Sequence, residues 1–109
     1  MIRLNDDGTT VTLDLHGLTV DEALAVTRRT LDLAESRGRA TLKVIHGHST
    51  SGVPGRQTIK TALYDALDHG FLQRYQTNHH RMQGTLILSL GLGQTAQAAR
   101  IRSTDVWPP

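Results

Sequence analysis

The feature that most constrains the fold is a strand, helix, strand pattern early in the sequence. Thr10 to His16 alternates in polarity, with Val11, Leu13 and Leu15 on one side, which predicts a strand with one buried face. A capping-box pair and a helix-length amphipathic segment follow, and then Thr41 to His46, a short β-branched segment typical of a second strand. Because parallel strands need a long crossover connection, this order predicts a right-handed, parallel βαβ unit.

The rest of the pattern completes an α/β fold. An apolar stripe from Ile59 to Leu67 predicts a second helix. Two more strands are predicted at Leu72 to Thr77 and Gly84 to Leu90, joined by the polar connection Asn78 to Gln83. The prediction is a two-layer α/β sandwich of order βαβαββ, with a mixed sheet of about four strands and two helices on one face.

Length and composition set the boundaries of this prediction. A chain of 109 residues has room for one domain, expected at residues 10–90, with an N-terminal tail at 1–9 and a mostly flexible C-terminal tail at 91–109. The absence of cysteine excludes thiolate chemistry and Cys-type zinc or iron–sulfur sites. No apolar run approaches the length of a membrane span or a signal peptide, so we expect a cytoplasmic protein that does not enter membranes.

The charge of the chain permits a nucleic-acid partner without requiring one. Lys and Arg number 12 against 10 Asp and Glu, for a net charge of +2, and only Lys43 and Lys60 of these cations are lysine. The planar guanidinium of arginine suits bidentate contact with phosphate. Aromatic residues make up 4% of the chain, which argues against a base-stacking platform.

Two motifs containing histidine fall at the ends of the two predicted parallel strands. Asp14 and His16 end the first strand and share its open face, where a carboxylate can orient an imidazole for acid–base catalysis. His46, Gly47 and His48 follow the second strand. Since the C-terminal ends of parallel strands meet at one edge of a sheet, both motifs are expected to converge there. The structural alternative is that Asp14 caps the following turn and the histidines are ordinary surface groups.

The loop after the second strand adds candidate phosphate ligands. Its hydroxyl groups precede a helix whose unpaired N–H groups could hold a phosphate. The candidate phosphate- and nucleic-acid-binding residues are Gly47, His48, Ser49, Thr50, Ser51, Arg56, Lys60 and Lys43. Other cations are expected to be ordinary surface groups on the first helix and the residues after it: Arg28, Arg29, Arg37 and Arg39. His79 and His80 are expected to form a polar hairpin tip. With Arg74 and Arg81, they could also extend a nucleic-acid track.

The motifs LDLHG, VIHG, HSTSGV, IKTAL and GTLILSL together resemble the Smr (small MutS-related) domain, here as a stand-alone member, over Val11 to Leu90. The resemblance implies a sandwich similar to the C-terminal domain of translation initiation factor three, and endonuclease or nucleic-acid-binding activity. It implies cleavage roles for Asp14 and His16 and places the family's second motif at His46 and Gly47. The sequence departs from that motif at Ser49, where the family has glycine.

Three functional hypotheses follow. In the first, no metal is needed, and one of His16 and His46 acts as general base and the other as general acid, which favours RNA because its 2′-hydroxyl is a built-in nucleophile. In the second, Asp14, His16 and His46 or His48 collect Mg²⁺ or Mn²⁺, which would also allow DNA nicking. In the third, the chain is a non-catalytic nucleic-acid-binding or adaptor module. RNA or DNA is the expected partner in each case, with the ribosome or DNA-repair proteins as further partners. The sequence does not indicate whether the chain is a monomer or an oligomer.

Overall fold

The computed structural model describes residues 2–47, 58–91 and 96–109. Their elements are strands, helices and one short 3-10 turn. The bounds are β1 Arg3–Asp6, β2 Thr10–Asp14, α1 Val20–Ser36, β3 Thr41–Ile45, α2 Ile59–His69, the 3-10 turn Gln73–Tyr75, β4 His79–Met82, β5 Thr85–Ser89 and α3 Ser103–Val106.

The strands described form one mixed sheet in the order β1-β2-β3-β5-β4. β2 and β3 are parallel, with Leu13 opposite Val44 and Asp14 opposite Ile45, and the other neighbouring strands are antiparallel. Because α1 connects β2 to β3, the predicted parallel βαβ unit is confirmed. The C-terminal ends of these two strands therefore lie side by side at one edge of the sheet, which we call the histidine edge.

The hydrophobic core lies between the helices and one face of the sheet. Val11 and Leu13 of β2 are fully buried, as are Leu42 and Val44 of β3, whereas the residues between them are partly exposed. This alternation confirms one covered face and one open face, and with it the α/β sandwich. The two long helices complete the core with small and branched side chains: Ala23, Val26, Leu31, Ala34, Leu63 and Leu67.

Capping boxes fix the first residues of both long helices. At α1, the Glu22 N–H donates to Thr19 Oγ1 at 3.1 Å and the Thr19 N–H donates to Glu22 Oε1 at 3.0 Å, as the sequence predicts. At α2, Thr58 and Thr61 exchange the equivalent bonds. Since α1 begins four residues after His16, its cap also fixes where the chain leaves the histidine edge.

The predicted strand Leu72 to Thr77 is wrong. That segment contains the 3-10 turn, with Leu72 and Tyr75 both buried three residues apart, which is the spacing of one 3-10 turn. The strand forms instead at His79–Met82, inside the segment predicted to be a polar connection. Polar residues are tolerated there because β4, which among the described strands pairs with β5 alone, lies at the edge of the sheet.

The two segments expected to be tails also differ from the prediction. Residues 3–6 form β1, which pairs with β2, and Leu4 packs against the core. Ile101 and Val106, beyond the predicted domain, are buried in the same core as the strands. The folded unit therefore extends on both sides of residues 10–90.

A buried ion pair joins these two segments. The Arg39 side chain is fully inaccessible, and its Nε donates to Asp6 Oδ1 at 2.7 Å. Its terminal nitrogens donate to the carbonyl oxygens of Gln97 and Ala99, while the Ile101 N–H donates to Asp6 Oδ2 at 2.8 Å. The prediction that Arg39 is a solvent-exposed cation is therefore wrong. Its side chain connects β1 and residues 97–101 to the segment just before β3.

Candidate active site at the histidine edge

The structure brings the two histidine motifs onto adjacent strand ends. Asp14 and Ile45 are register partners, and the Leu15 N–H continues the pairing by donating to the Ile45 carbonyl at 3.0 Å. His16 and His46 are the next residues along the two strands. Both therefore follow the last paired positions of β2 and β3, at the edge where open α/β sheets bind ligands.

His16 stands at the tip of a tight turn. The Leu18 N–H donates to the Leu15 carbonyl at 3.2 Å, and Gly17 occupies the third position of the turn with φ +84°, which a type II turn reserves for glycine. The turn leaves His16 exposed. An imidazole in this position is accessible to a ligand as large as a polynucleotide.

Asp14 acts on this turn through the backbone. Its Oδ1 accepts a hydrogen bond of 2.9 Å from the His16 N–H, an Asx-type contact two residues along the chain. The bond holds the backbone of His16 rather than its imidazole. The contact that the Asp14 carboxylate makes is therefore the one expected of the structural alternative, in which Asp14 caps the turn.

His46 is held much more tightly than His16. It is 7% exposed, and its N–H and that of Gly47 both donate to the Gly84 carbonyl, at 2.9 and 3.1 Å. Its Nδ1 lies 2.9 Å from the Gly47 carbonyl oxygen. Because a carbonyl can only accept, Nδ1 carries the proton in this contact, and in the neutral ring Nε2 then carries the lone pair. The ring of Tyr64 meets His46 edge-on, with centroids 6.0 Å apart and planes at 84°.

Two cations surround Tyr64. Lys60 Nζ lies 5.7 Å from the ring centroid and Arg81 Cζ lies 4.2 Å from it, distances typical of cation–π contact. Of the predicted phosphate ligands, Lys60 is thus near the histidine edge, whereas Lys43 lies on the open face of β3 opposite Thr12. The remaining predicted ligands, His48, Ser49, Thr50, Ser51 and Arg56, lie outside the described residues.

Sequence reasoning missed two residues at or beside this site and misplaced a third. Tyr64 follows Lys60 by one helical turn, a spacing visible in the sequence, but it is not among the predicted site residues. Arg81, expected in a polar connection as part of a possible nucleic-acid track, lies in β4, the strand that carries it towards Tyr64. Arg3 of β1 lies directly across from Asp14 of β2, in the segment expected to be an N-terminal tail.

Two negative findings apply to the described residues alone. No group of three or more His, Asp or Glu side chains among them is arranged to hold a metal ion. No helix among them has the length and apolar character needed to cross a membrane.

Comparison with known proteins connects this geometry to a family. Neither curated proteins nor solved structures include a significant match to the chain. The family model of the Smr domain matches residues 13–88, which include both histidine motifs, α1, α2 and most of the sheet. Smr domains are associated with nucleic-acid binding and nuclease activity. With more than half of its length matched, the chain belongs to the Smr domain family.

Proposed function

We propose that this chain is an endonuclease that cleaves single-stranded RNA with His46 as general base and His16 as general acid. The observation that carries the proposal is the contact between His46 Nδ1 and the Gly47 carbonyl, on a strand end adjacent to that of His16. A backbone carbonyl that fixes the tautomer of a histidine aims the lone pair on its other nitrogen, as a general base requires.

The proposed reaction uses the nucleophile that RNA supplies. His46 Nε2 takes the proton of a 2′-hydroxyl, and the 2′-oxygen bonds to the adjacent phosphorus as the bond from phosphorus to the 5′-oxygen breaks. Protonated His16 gives its proton to that leaving oxygen. The products are a 2′,3′-cyclic phosphate and a 5′-hydroxyl end, so no water enters this step. Holding the reacting groups together accounts for much of the acceleration.

The charge that develops on the phosphoryl oxygens needs a nearby cation. Lys60 lies in the first turn of α2, beside the Tyr64 ring that contacts His46. A positioned ammonium stabilises such charge in the transition state. We assign Lys60 this role.

A metal-assisted reaction is the competing mechanism. Asp14, His16 and His46 are the described members of the ligand set that the sequence suggests, and Asp14 Oδ1 is already bonded to the His16 N–H. The described residues hold no three-ligand cluster, so no step is assigned to Mg²⁺ or Mn²⁺. Cleavage that required either ion would replace the proposed mechanism.

The decisive experiment is cleavage of end-labelled single-stranded RNA and DNA of the same sequence, in EDTA and with Mg²⁺ or Mn²⁺. We expect wild type to cleave RNA in EDTA and leave DNA intact. His16→Ala and His46→Ala should each lower the rate by about a hundredfold or more, because acid–base catalysis contributes on that order. The matched control is His69→Ala, an exposed histidine at the opposite end of α2.

The product ends provide a second readout. A 2′,3′-cyclic phosphate supports attack by the 2′-oxygen, whereas a linear phosphate formed without a cyclic intermediate contradicts it. If wild type binds RNA without cleaving it, or if His16→Ala and His46→Ala both leave RNA cleavage unchanged, the non-catalytic binding module is the better description. The backbone contact of Asp14 favours that second candidate, because it gives this residue a structural reason to be present.

A further inference from the structure

Arg81 is the best positioned cation near the histidine edge. Its guanidinium carbon lies 4.2 Å from the centroid of the Tyr64 ring, which is itself 6.0 Å from the centroid of the His46 ring. Lys60 approaches the same ring at 5.7 Å. These three side chains come from α2 and β4, so the tertiary fold brings them together beside His46. We call Arg81, Tyr64 and Lys60 the arginine shelf.

A chain of directed hydrogen bonds holds Arg81 in place. Its Nε donates to His79 Nε2 at 3.1 Å, and His79 Nδ1 lies 2.8 Å from the Tyr75 carbonyl oxygen. The carbonyl can only accept, so Nδ1 of His79 is the donor and Nε2 is the acceptor that Arg81 requires. His79 is therefore a positioning residue, which uses the Nε of Arg81 and leaves the two terminal nitrogens to point elsewhere.

The charge on Arg81 has no carboxylate partner in the described part of the chain, where the ion pairs are Arg39 with Asp6 and Arg74 with Glu35. Arg74 gives a useful contrast. It also lies over a tyrosine, Tyr75 at 5.1 Å, but Glu35 neutralises it. A guanidinium fixed in orientation, yet not neutralised, is suited to bind an anion with its two terminal nitrogens.

We propose that the arginine shelf is a phosphate subsite for single-stranded RNA, in which Arg81 binds the phosphodiester next to the one presented to His46. The inference rests on the proposed function, which supplies RNA as the substrate, and it adds a second site at which the protein binds a phosphate of that RNA. Two contacts on neighbouring phosphates would fix the register of the strand, since phosphate contacts position a nucleic acid without reading its sequence. The shelf therefore predicts positioning of RNA without selection of bases.

The test measures binding to fluorescein-labelled 2′-O-methyl RNA, which lacks the attacking hydroxyl and so cannot be cleaved by the proposed reaction. Fluorescence anisotropy over a salt series gives Kd and its salt dependence. We expect Arg81→Ala to weaken binding about tenfold or more, because a hydrogen-bonded charge pair is lost. The slope of log K against log salt should fall by about 0.7, the value of one single-strand phosphate contact.

Arg74→Ala is the matched control, since it removes the same formal charge from another arginine stacked on tyrosine. We expect it to leave both Kd and the salt slope near wild type. Arg81→Lys keeps the charge without the fork and should fall between wild type and Arg81→Ala in affinity. His79→Phe keeps a ring but removes the acceptor, so it should reduce both affinity and salt slope in the direction of Arg81→Ala. Circular dichroism and thermal melts establish that each variant is folded.

The outcomes separate this proposal from the catalytic one. Equal losses in Arg81→Ala and Arg74→Ala would overturn the subsite, because general charge would then explain the binding. Weakened binding in Arg81→Ala, together with RNA cleavage indifferent to His16→Ala, would leave the subsite standing and remove the acid–base mechanism. Absence of binding of 2′-O-methyl RNA to wild type would overturn the subsite. The catalytic proposal would still be tested by the effect of His16→Ala and His46→Ala on cleavage of ordinary RNA.

Discussion

At the scale of the residue, Asp14 could act through either of two properties, and the hydrogen bond between the His16 N–H and Asp14 Oδ1 uses one of them. One is its negative charge, which could act on an imidazole or a metal. The other is an acceptor oxygen two residues before the turn, which asparagine also supplies. The geometry shows the second in use, and variants at Asp14 can distinguish the two.

We expect Asp14→Asn to keep the turn and most of the RNA cleavage, because its side-chain oxygen still accepts from the His16 N–H. Asp14→Ala should lose about 1 kcal/mol of unfolding free energy, the usual net value of one hydrogen bond, and most of the cleavage, because His16 is no longer held. Urea unfolding and single-turnover cleavage measure the two effects. An Asp14→Asn variant as inactive as Asp14→Ala would mean that the carboxylate charge itself is required.

The site shows where reasoning from sequence succeeds at this scale and where it stops. The proximity of His16 and His46 could be predicted because each follows one of the two parallel strands of a βαβ unit. That prediction requires only the positions at which the two strands end. The proximity of Arg81 and Tyr64 could not be predicted, because their contact depends on β4, and its polar composition resembles a loop. A strand at the edge of a sheet can be polar, so its hydropathy pattern is weak.

At the scale of the elements, the Arg39–Asp6 pair decides which parts of the chain fold together. Both side chains are inaccessible to solvent, and the backbone of residues 97–101 supplies further partners. The elements β2, α1, β3 and α2 could be predicted because each has its own hydrophobic period. β1 and residues 97–106 could not be, because a buried pair between distant residues leaves no local pattern.

Removing one member of this pair should be costly. We expect Arg39→Ala to lower the unfolding free energy by about 3–5 kcal/mol, since it leaves the Asp6 carboxylate buried without its cation. Arg28→Ala is the control, because Arg28 is exposed and lies over Phe71 at 5.7 Å, a contact expected to contribute about 1 kcal/mol at most. Urea denaturation of both variants provides the comparison.

A double-variant cycle then tests the coupling. Asp6→Ala combined with Arg39→Ala should cost clearly less than the sum of the single substitutions, because the second removal deletes the uncompensated partner. Additive costs would show that the two side chains act independently, and the account of the ion pair would fail.

At the scale of the whole molecule, the same aspartate links folding to pH. Burial tends to raise the pKa of Asp6, but hydrogen bonds from Arg39, Ile101 and Gly8 outweigh burial and hold that pKa below its ordinary value. A carboxylate with a lowered pKa in the folded state contributes stability above its unfolded pKa, about 3.9, and loses that contribution as pH falls through the folded pKa.

We therefore expect the contribution of Asp6 to be constant from pH 7 to about pH 5 and to decline below about pH 4. Asp6→Asn removes the titrating group, so its unfolding free energy should depend less steeply on pH in that acid range, from a lower starting value at pH 7. Urea unfolding of both proteins at pH 7, 5 and 3 measures this dependence. Parallel curves for the two proteins would assign the acid sensitivity to other carboxylates.

The position of β1 beside β2 has a consequence for moving this domain into other proteins. A graft limited to the family match, residues 13–88, would lack β1 and begin within β2. It would also leave Arg39 without Asp6 and expose a strand edge whose free N–H and C=O groups invite pairing with another molecule. A fusion that retains Arg3 to Val106 keeps this edge covered and the ion pair intact, so it should remain monodisperse where the shorter graft aggregates.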